Sequence, residues 1–267
     1  EDDRASGKRS LNTRYETKAV IQNCLSDAEI TAKKNCVGAV VGRMDLGTVL
    51  ESVGYGRMNS QSGDYVGGIA GLSDATVRKC FARCTLAGRD YIGGIVGSGK
   101  NIRACYALVD IPQASGCIGA IAGERIAEAK VAENYFVDRG WAGIGGISYA
   151  GLAEPIAYDR LSQMEGLPEG FLDLTLTFVA EGEVLTTVPF NYGDDLSSLH
   201  LPEIPDKEGC YSYWPDFDYS QVTFSAVLEA VYAPWITVLD SEETDAEGRP
   251  LVLAEGFYDD QARLEVI

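Results

Sequence analysis

The stretch that most nearly matches a catalytic motif is a glycine-rich run ending in lysine, Gly94-Ile95-Val96-Gly97-Ser98-Gly99-Lys100. In a phosphate-binding P-loop, a Ser or Thr that binds Mg²⁺ follows the lysine, and a helix begins there. Here Asn101 follows instead, and a strand-like run comes after it. Because similar glycines recur elsewhere without a lysine, we predict a structural role for this run.

Two aspartates, Asp64 and Asp90, recur in register, each three residues before a Gly-Gly pair. Paired carboxylates can act as acid and base in sugar hydrolysis, but aspartates at such positions more often cap turns. A Ser–His or Cys–His pair needs a histidine, and the single one, His200, lies in the other half of the chain. We therefore predict turn caps, no catalytic residues and no enzymatic activity.

Cysteines are the third group with possible chemistry. The seven are Cys24, Cys36, Cys80, Cys84, Cys105, Cys117 and Cys210. The spacing of Cys80 and Cys84 hints at zinc, but partner ligands are lacking because the single histidine, His200, lies in the other domain. Cysteines 24, 80 and 105 share one position of a repeated element, while 36 and 117 share another. We predict buried, stacked thiols, and we assign no metal, no cofactor and no defined binding residues.

Aromatic residues also recur at repeat positions, as Tyr65, Tyr91, Tyr106 and Trp141. An exposed ladder of such rings would suit sugar rings or a protein partner, whereas a buried one is ordinary packing. We predict that these rings are buried.

Five glycine-rich boxes must position all these residues. They span 35–42, 64–71, 90–97, 116–123 and, in a degraded copy, 140–147; their first glycines are 29, 26, 26 and 24 residues apart. A fixed period of this size is typical of a solenoid. Between boxes lie short β-branched runs, such as Ile102-Arg103-Ala104-Cys105-Tyr106-Ala107, that indicate strands. We predict an all-β fold whose first part is a right-handed parallel β-helix of about five coils.

The boxes also predict how a coil is built. Glycine supplies positive φ at sharp turns and lets neighbouring coils approach closely, while the Val, Ile and Ala residues of each box point inward. Alternating Val-Gly-Gly-Ile-Ala-Gly boxes and Asn-Cys-Tyr-Ala-like elements resemble the GLUG repeat of bacterial surface proteins, over about residues 20–147. The sequence departs from this repeat pattern in two ways: Gly54 stands where a cysteine is expected, and Ala replaces the second box glycine at positions 39 and 120.

Composition changes in the second half. Residues 158–166 indicate a short helix with Gly166 at its C-terminal cap, which we expect to cap the solenoid within a first domain, 1–170. Strands are predicted at 174–179, 184–192, 211–214, 227–232, 249–254 and 262–267, with a two-proline loop at 196–205. Residues 171–267 resemble the internalin-type B repeat, a small β-grasp-like module, through Thr177-Phe178, Tyr192-Gly193-Asp194, Trp214 and Ala230-Val231-Tyr232-Ala233. The chain ends within a predicted strand, so we expect this domain to be truncated.

Charge is divided unequally between the two domains. Residues 1–170 carry 19 Lys or Arg and 20 Asp or Glu, a net of −1, whereas residues 171–267 carry 3 and 20, a net of −17. Such acidity disfavours nucleic acid as a partner. No apolar run has the roughly 18 residues that a membrane span needs. Pairs such as Asp194-Asp195 leave weak divalent-cation binding open, although no EF-hand spacing is present.

Together the resemblances imply a non-enzymatic extracellular module of a bacterial cell-surface protein. It would be a monomer that acts as a stalk or adhesin and binds a host or bacterial surface glycan or protein, with its signal and anchor outside this segment. Parallel β-helices also include polysaccharide hydrolases and lyases, so a carbohydrate-active enzyme is the alternative.

Overall fold

The repeated boxes form a parallel β-solenoid in the first part of the chain. The computed structural model describes residues 19–113, 115–234, 240–244 and 250–252. Between Leu172 and Asp173 the chain divides into two compact units, of which the solenoid is the first.

Strands of the solenoid make a partial coil, four complete coils and one further strand. In chain order they are β1 (Val20–Gln22) and β2 (Leu25–Ala32); β3 (Val37–Gly38), β4 (Val41–Met44), β5 (Thr48–Leu50) and β6 (Val53–Ser60); β7 (Val66–Gly67), β8 (Ala70–Arg78) and β9 (Phe81–Ala87); β10 (Ile92–Gly93), β11 (Val96–Arg103), β12 (Tyr106–Ala107) and β13 (Asp110–Gln113); β14 (Ile118–Gly119), β15 (Ala122–Ala132) and β16 (Asn134–Val137); and β17 (Ala153–Ile156).

Equivalent strands of successive coils pair into three parallel sheets. The box sheet joins β3, β7, β10 and β14; sheet I joins β1, β5, β8, β11 and β15, with β4 beside β8; sheet II joins β2, β6, β9, β12, β16 and β17, with β13 beside β9. Repeat positions lie in register, since Ile92 pairs with Val66 on one side and Ile118 on the other. The predicted all-β parallel solenoid is therefore confirmed.

The number of complete turns is four, one fewer than predicted, because the fifth box does not form a coil. Within residues 140–147, Ile144 makes isolated bridges to Ala122 and Ile147 in place of a strand. Three glycines of this box adopt left-handed backbone, with φ of 97° at Gly140, 53° at Gly145 and 81° at Gly146. The chain therefore turns where the complete boxes extend.

Glycines of the four complete boxes serve close packing of backbones. None of them has a positive φ. A Cβ on Gly71 would lie 2.6 Å from the Val37 nitrogen, and one on Gly97 would lie 2.7 Å from the Tyr65 Cα. Real Cβ atoms essentially never approach backbone so closely. The prediction that glycine lets coils approach is confirmed, whereas the prediction that box glycines supply positive φ is wrong.

Other residue types make the turns between sheets I and II. The same corner of five successive coils has φ between 48° and 59°, at Asn23, Glu51, Lys79, Ala104 and Glu133. Hydrogen bonds to the next coil hold these corners. The Lys79 amide, for example, donates to the Arg103 carbonyl at 2.9 Å. The left-handed backbone is therefore stabilised by stacking and does not require glycine.

A column of small polar side chains follows this corner and is buried in every coil after the first, partial one. Its members, here called the corner column, are Cys24, Ser52, Cys80, Cys105 and Asn134. The first four donate to the carbonyl two residues earlier, at 3.6, 3.0, 3.2 and 3.3 Å. The column position needs a small donor, which explains its cysteines. Ser52, not Gly54, fills it in the second coil, because Val53 pairs with Phe81.

Branched aliphatic residues of the boxes fill the narrow core, as predicted. Ile69, Ile92, Ile95, Val96 and Ile121 are fully buried. Burying such side chains contributes about 2 kcal/mol each. Because every coil supplies equivalent residues, the core is continuous along the stack.

The end of the first unit packs on the outer face of sheet II. Its helix α1 (Tyr158–Ser162) is shorter than the predicted 158–166, and Gly166 lies in a separate turn with φ of 78°. Leu161 and Phe171 are buried. The Phe171 ring meets Phe81 edge-on at 5.6 Å, and the Tyr55 hydroxyl donates to the Glu169 carbonyl at 2.9 Å. These contacts run along the side of the solenoid.

The second unit is built of short strands. They are β18 (Leu174–Ala180), β19 (Glu183–Phe190), β20 (Cys210–Tyr213), β21 (Ala226–Glu229), β22 (Val231–Pro234), β23 (Asp240–Thr244) and β24 (Pro250–Val252). Strand β18 pairs antiparallel with β19 and parallel with β21, while β20–β22 and β23–β24 are antiparallel pairs. The predicted strand 227–232 is split at Ala230 between two sheets, and the predicted strand 262–267 lies outside the described residues.

Helix content is low throughout the described residues. None of their helices is both long and apolar enough to cross a membrane.

Candidate binding surfaces

The two in-register aspartates join neighbouring coils. Arg89 donates to both carboxylate oxygens of Asp64, at 2.9 and 2.7 Å. Asp90 Oδ1 accepts from the backbone amides of Tyr91 and Cys117, at 2.8 and 2.6 Å. The hydrogen bond with Arg89 lowers the pKa of Asp64. Both carboxylates are thus engaged in turns and between coils, and Asp64 is ionised at neutral pH.

Charged side chains at the corner between sheets I and II also pair from coil to coil. Glu51 accepts from Lys79 at 3.2 Å and from Gln22 at 3.0 Å, and Arg103 donates twice to Glu133 at 3.0 Å. Hydrogen bonds from Gln22 and Lys79 lower the pKa of Glu51. These pairs are solvent-exposed, so each adds little stability. They pair opposite charges of neighbouring coils at the corner.

Only part of the cysteine prediction is confirmed. Cys80, Cys84 and Cys105 are buried, but Cys24 and Cys117 are exposed and Cys36 is half-buried. Cys36 and Cys117 stand at the outward corner that Tyr65 and Tyr91 occupy in other coils. Burial raises the pKa of Cys84 to about 12 and raises that of Cys105. The Cys84 and Cys105 thiols are therefore protonated and unreactive at neutral pH, whereas the hydrogen bond with Cys105 lowers the pKa of the Cys80 thiol.

Among the described residues, neither a metal site nor a phosphate-binding loop is formed. No group of three His, Cys, Asp or Glu side chains lies close enough there to hold a metal ion. Lys100 lies inside β11, which continues to Arg103 as a strand. The run from Gly94 to Lys100 therefore does not open a helix, as a P-loop must.

The recurring aromatic residues are partly exposed, so the prediction that they are buried is wrong. Tyr65 and Tyr91 stack with their ring centroids 4.9 Å apart and their planes 10° apart, at the corner before the box sheet. Their faces point at each other, as expected for one ring per coil. This stack is here called the corner ladder, and both of its tyrosines are half-buried.

A second stack, here the lateral ladder, runs along the outer face of sheet II. It consists of Phe81, Tyr106 and Tyr135, with centroid distances of 5.2 and 5.6 Å. Phe81 points outward because its neighbour Ala82 points into the core. Phe171 covers the Phe81 end, but the two tyrosines remain half exposed.

Between the two tyrosines and α1 lies a cleft of about 210 Å³. Its lining, here the lateral cleft, is Tyr106, Tyr135, Ile156, Arg160 and Met164. Arg160 forms no ion pair with a described acidic residue. Partial burial raises the pKa of Tyr106, so its hydroxyl remains a hydrogen-bond donor. The cleft thus combines apolar walls with hydroxyl and guanidinium donors.

The second unit has an open groove of about 730 Å³. Its lining comes from two segments, residues 202–206 and 212–214. It combines prolines, acidic residues and aromatic rings, and it is here called the proline groove.

Sequence reasoning identified the tyrosines but missed the other groups of the lateral cleft. Ile156, Arg160 and Met164 lie outside the repeats, and nothing in their spacing shows that the chain returns along sheet II. The one available signal was the short helix prediction, which placed Arg160 and Met164 in one element.

Comparisons with protein-family models, with curated proteins and with solved structures find no match for this chain.

Proposed function

We propose that this chain is a non-enzymatic extracellular module of a bacterial cell-surface protein. Its solenoid would act as a stalk, and it would bind a glycan of a host or neighbouring cell. The observation that carries the proposal is the lateral cleft, where outward-facing tyrosines and Arg160 form a site on a rigid wall. The repeat resemblance to bacterial surface proteins supports the same class.

The stalk role is supported by how the repeat uses its polar residues. Asp64, Asp90, Glu51 and Glu133 are engaged by groups that join successive coils. With a spacing of about 4.8 Å per coil, four turns give a wall roughly 19 Å long. Length in such a design grows with repeat number, as a spacer requires.

Glycan binding fits the chemistry of the lateral cleft. A sugar ring has apolar C–H faces and a rim of hydroxyls. Ile156, Met164 and the ring edges suit the first, while the tyrosine hydroxyls and Arg160 suit the second. The volume of about 210 Å³ is below the range of drug-sized sites, so it fits one ring at the end of a chain.

A glycan array followed by calorimetry on the best ligand tests this proposal. We expect Tyr135→Ala and Arg160→Gln each to weaken binding about tenfold, the size of one lost aromatic or charged contact. The matched control is Tyr91→Ala, which removes an equivalent stacked ring from the corner ladder and should leave affinity unchanged.

Circular dichroism would show that each variant keeps its strand content. A blank array, or binding that both cleft variants leave intact, would contradict the proposed site. Release of shorter sugars from a bound polysaccharide would instead favour the alternative of a carbohydrate-active enzyme.

A further inference from the structure

The proline groove in the second unit has walls that are fixed by hydrogen bonds. The Trp214 indole donates to the Pro202 carbonyl at 3.0 Å, and the Tyr232 hydroxyl donates to the Pro205 carbonyl at 3.0 Å. Trp214 also packs edge-on against the buried Phe178 at 5.1 Å. Since both walls are held in place without a ligand, the groove is preformed.

The unit that holds this groove carries a large excess of negative charge. Residues 173–234 contain eleven Asp or Glu and one Lys. That residue, Lys207, donates to Glu181 at 2.6 Å and lies over the Tyr232 ring. Glu203 and Asp206, which line the groove, form no ion pair with any described residue. Their carboxylates therefore face solvent with their charge unneutralised.

Aromatic surface lies beside these carboxylates. Tyr213 is 46% exposed, and Trp214 lines the same wall. A cationic side chain near an aromatic face gains cation–π attraction in addition to its attraction to carboxylates. Prolines on the opposite wall offer rigid apolar surface for the aliphatic stem of lysine or arginine.

We propose that the proline groove binds an extended, Lys- or Arg-rich peptide segment of a partner protein. The groove is open to solvent and is lined by two separate segments, which fits an extended chain better than a compact small molecule. The strong acidity of this unit would attract such a segment and accelerate its encounter. This site is independent of the proposed glycan binding, because it lies in the other unit and selects a ligand of positive charge.

Titration calorimetry of the full chain with a short peptide of alternating lysine and serine tests the proposal. The double variant Glu203→Gln, Asp206→Asn should weaken binding about tenfold, from the loss of two exposed ion pairs. The matched control Glu183→Gln, Glu229→Gln changes the net charge of the same unit equally at exposed positions outside the groove. It should change affinity less than twofold.

A second pair of variants tests the aromatic wall. Tyr213→Ala should weaken peptide binding severalfold, while Tyr213→Phe should retain it, because the ring remains. Equal weakening by the groove and control double variants would reduce the effect to general electrostatics and overturn the proposal. Absence of peptide binding would also overturn the proposal. The same holds if Ca²⁺ or spermine binds through the same residues and the peptide does not compete with it.

Discussion

At the scale of single residues, the solenoid separates two tasks that glycine often performs together. Left-handed corners are made by residues such as Glu51, Lys79 and Glu133, although each costs about 1 kcal/mol relative to ordinary backbone. Hydrogen bonds to the next coil offset that cost. Glycine is kept for positions such as Gly71, where a backbone occupies the space of a Cβ.

Replacing Gly71 with alanine should therefore be costly. The new Cβ would lie 2.6 Å from both the Val37 nitrogen and the Tyr65 carbonyl oxygen, so the coils must separate. We expect the free energy of unfolding to fall by about 3 kcal/mol, measured by urea denaturation followed by circular dichroism.

Gly140→Ala is the matched control for that change. Gly140 has a φ of 97° but nothing within 4 Å of an added Cβ. It should lose only about 1 kcal/mol, from backbone strain alone. Equal losses in the two variants would show that close packing is not what selects glycine in the boxes.

The buried thiols predict how stability depends on alkaline pH. The pKa of Cys84 is about 12 in the folded chain and about 8.5 when the chain is unfolded. A raised folded pKa means that its contribution is intact below pH 8.5 and is lost as pH rises toward 12. We expect a loss of about 1 kcal/mol per pH unit in that window from this thiol, measured by urea denaturation at several pH values.

Cys84→Ser separates this effect from the titration of lysines and tyrosines. Serine can keep the hydrogen bond that the Cys84 thiol donates to the Gly54 carbonyl at 3.2 Å, but it does not titrate in this range. The variant should lose less stability between pH 8 and 10 than the parent chain does. Parallel losses in the two proteins would rule out Cys84 as a source of the alkaline sensitivity.

At the scale of elements, the segment from 157 to 172 determines which part of the lateral ladder is exposed. Phe171 is fully buried against Phe81 and near Tyr55, while α1 borders the lateral cleft. The same segment thus covers one end of the ladder and forms a wall of the site at the other.

Phe171→Ala should weaken this attachment. Removing a fully buried phenylalanine costs about 3–4 kcal/mol when the site cannot collapse, and here an edge-on ring contact is lost as well. We expect lower stability in urea and faster proteolytic cleavage between 157 and 172.

Glu169→Ala provides the comparison within the same segment. Its side chain is exposed, and the backbone carbonyl that accepts from Tyr55 remains. Unchanged proteolysis in Phe171→Ala relative to Glu169→Ala would mean that the segment is held by other contacts.

Local patterns predicted the repeating elements well and the exceptions poorly. Box spacing indicated parallel coils, and Ile92 and Ile95 were correctly placed inside. The burial of Tyr65 was wrong, because its position is a left-handed corner whose side chain must point outward. The fold-back of Phe171 onto Phe81 joins residues ninety positions apart, and no periodic signal records such a contact.

At the scale of the whole molecule, the two units differ most in charge. The boundary after Leu172 falls where a nearly neutral solenoid gives way to residues with a strong excess of acid. Cross-coil pairs such as Arg103 with Glu133 balance the solenoid. Among the described residues of the second unit, Lys207 is the single Lys or Arg that could balance acidic side chains in this way.

Salt should therefore stabilise the second unit more than the first. Screening weakens repulsion among like charges. Raising NaCl from low to physiological strength and above should raise the unfolding midpoint of the second unit by about 5 °C, the equivalent of roughly 1 kcal/mol in a domain of this size. The midpoint of the solenoid should hardly move.

Two tryptophan variants of the full chain allow each unit to be followed separately. Trp141→Phe leaves only the tryptophans of the second unit, while the double variant Trp214→Phe, Trp235→Phe leaves only Trp141 of the solenoid. Fluorescence melting curves of both at several salt concentrations give the two responses, and an equal shift in both would show that the uneven charge does not govern their stability.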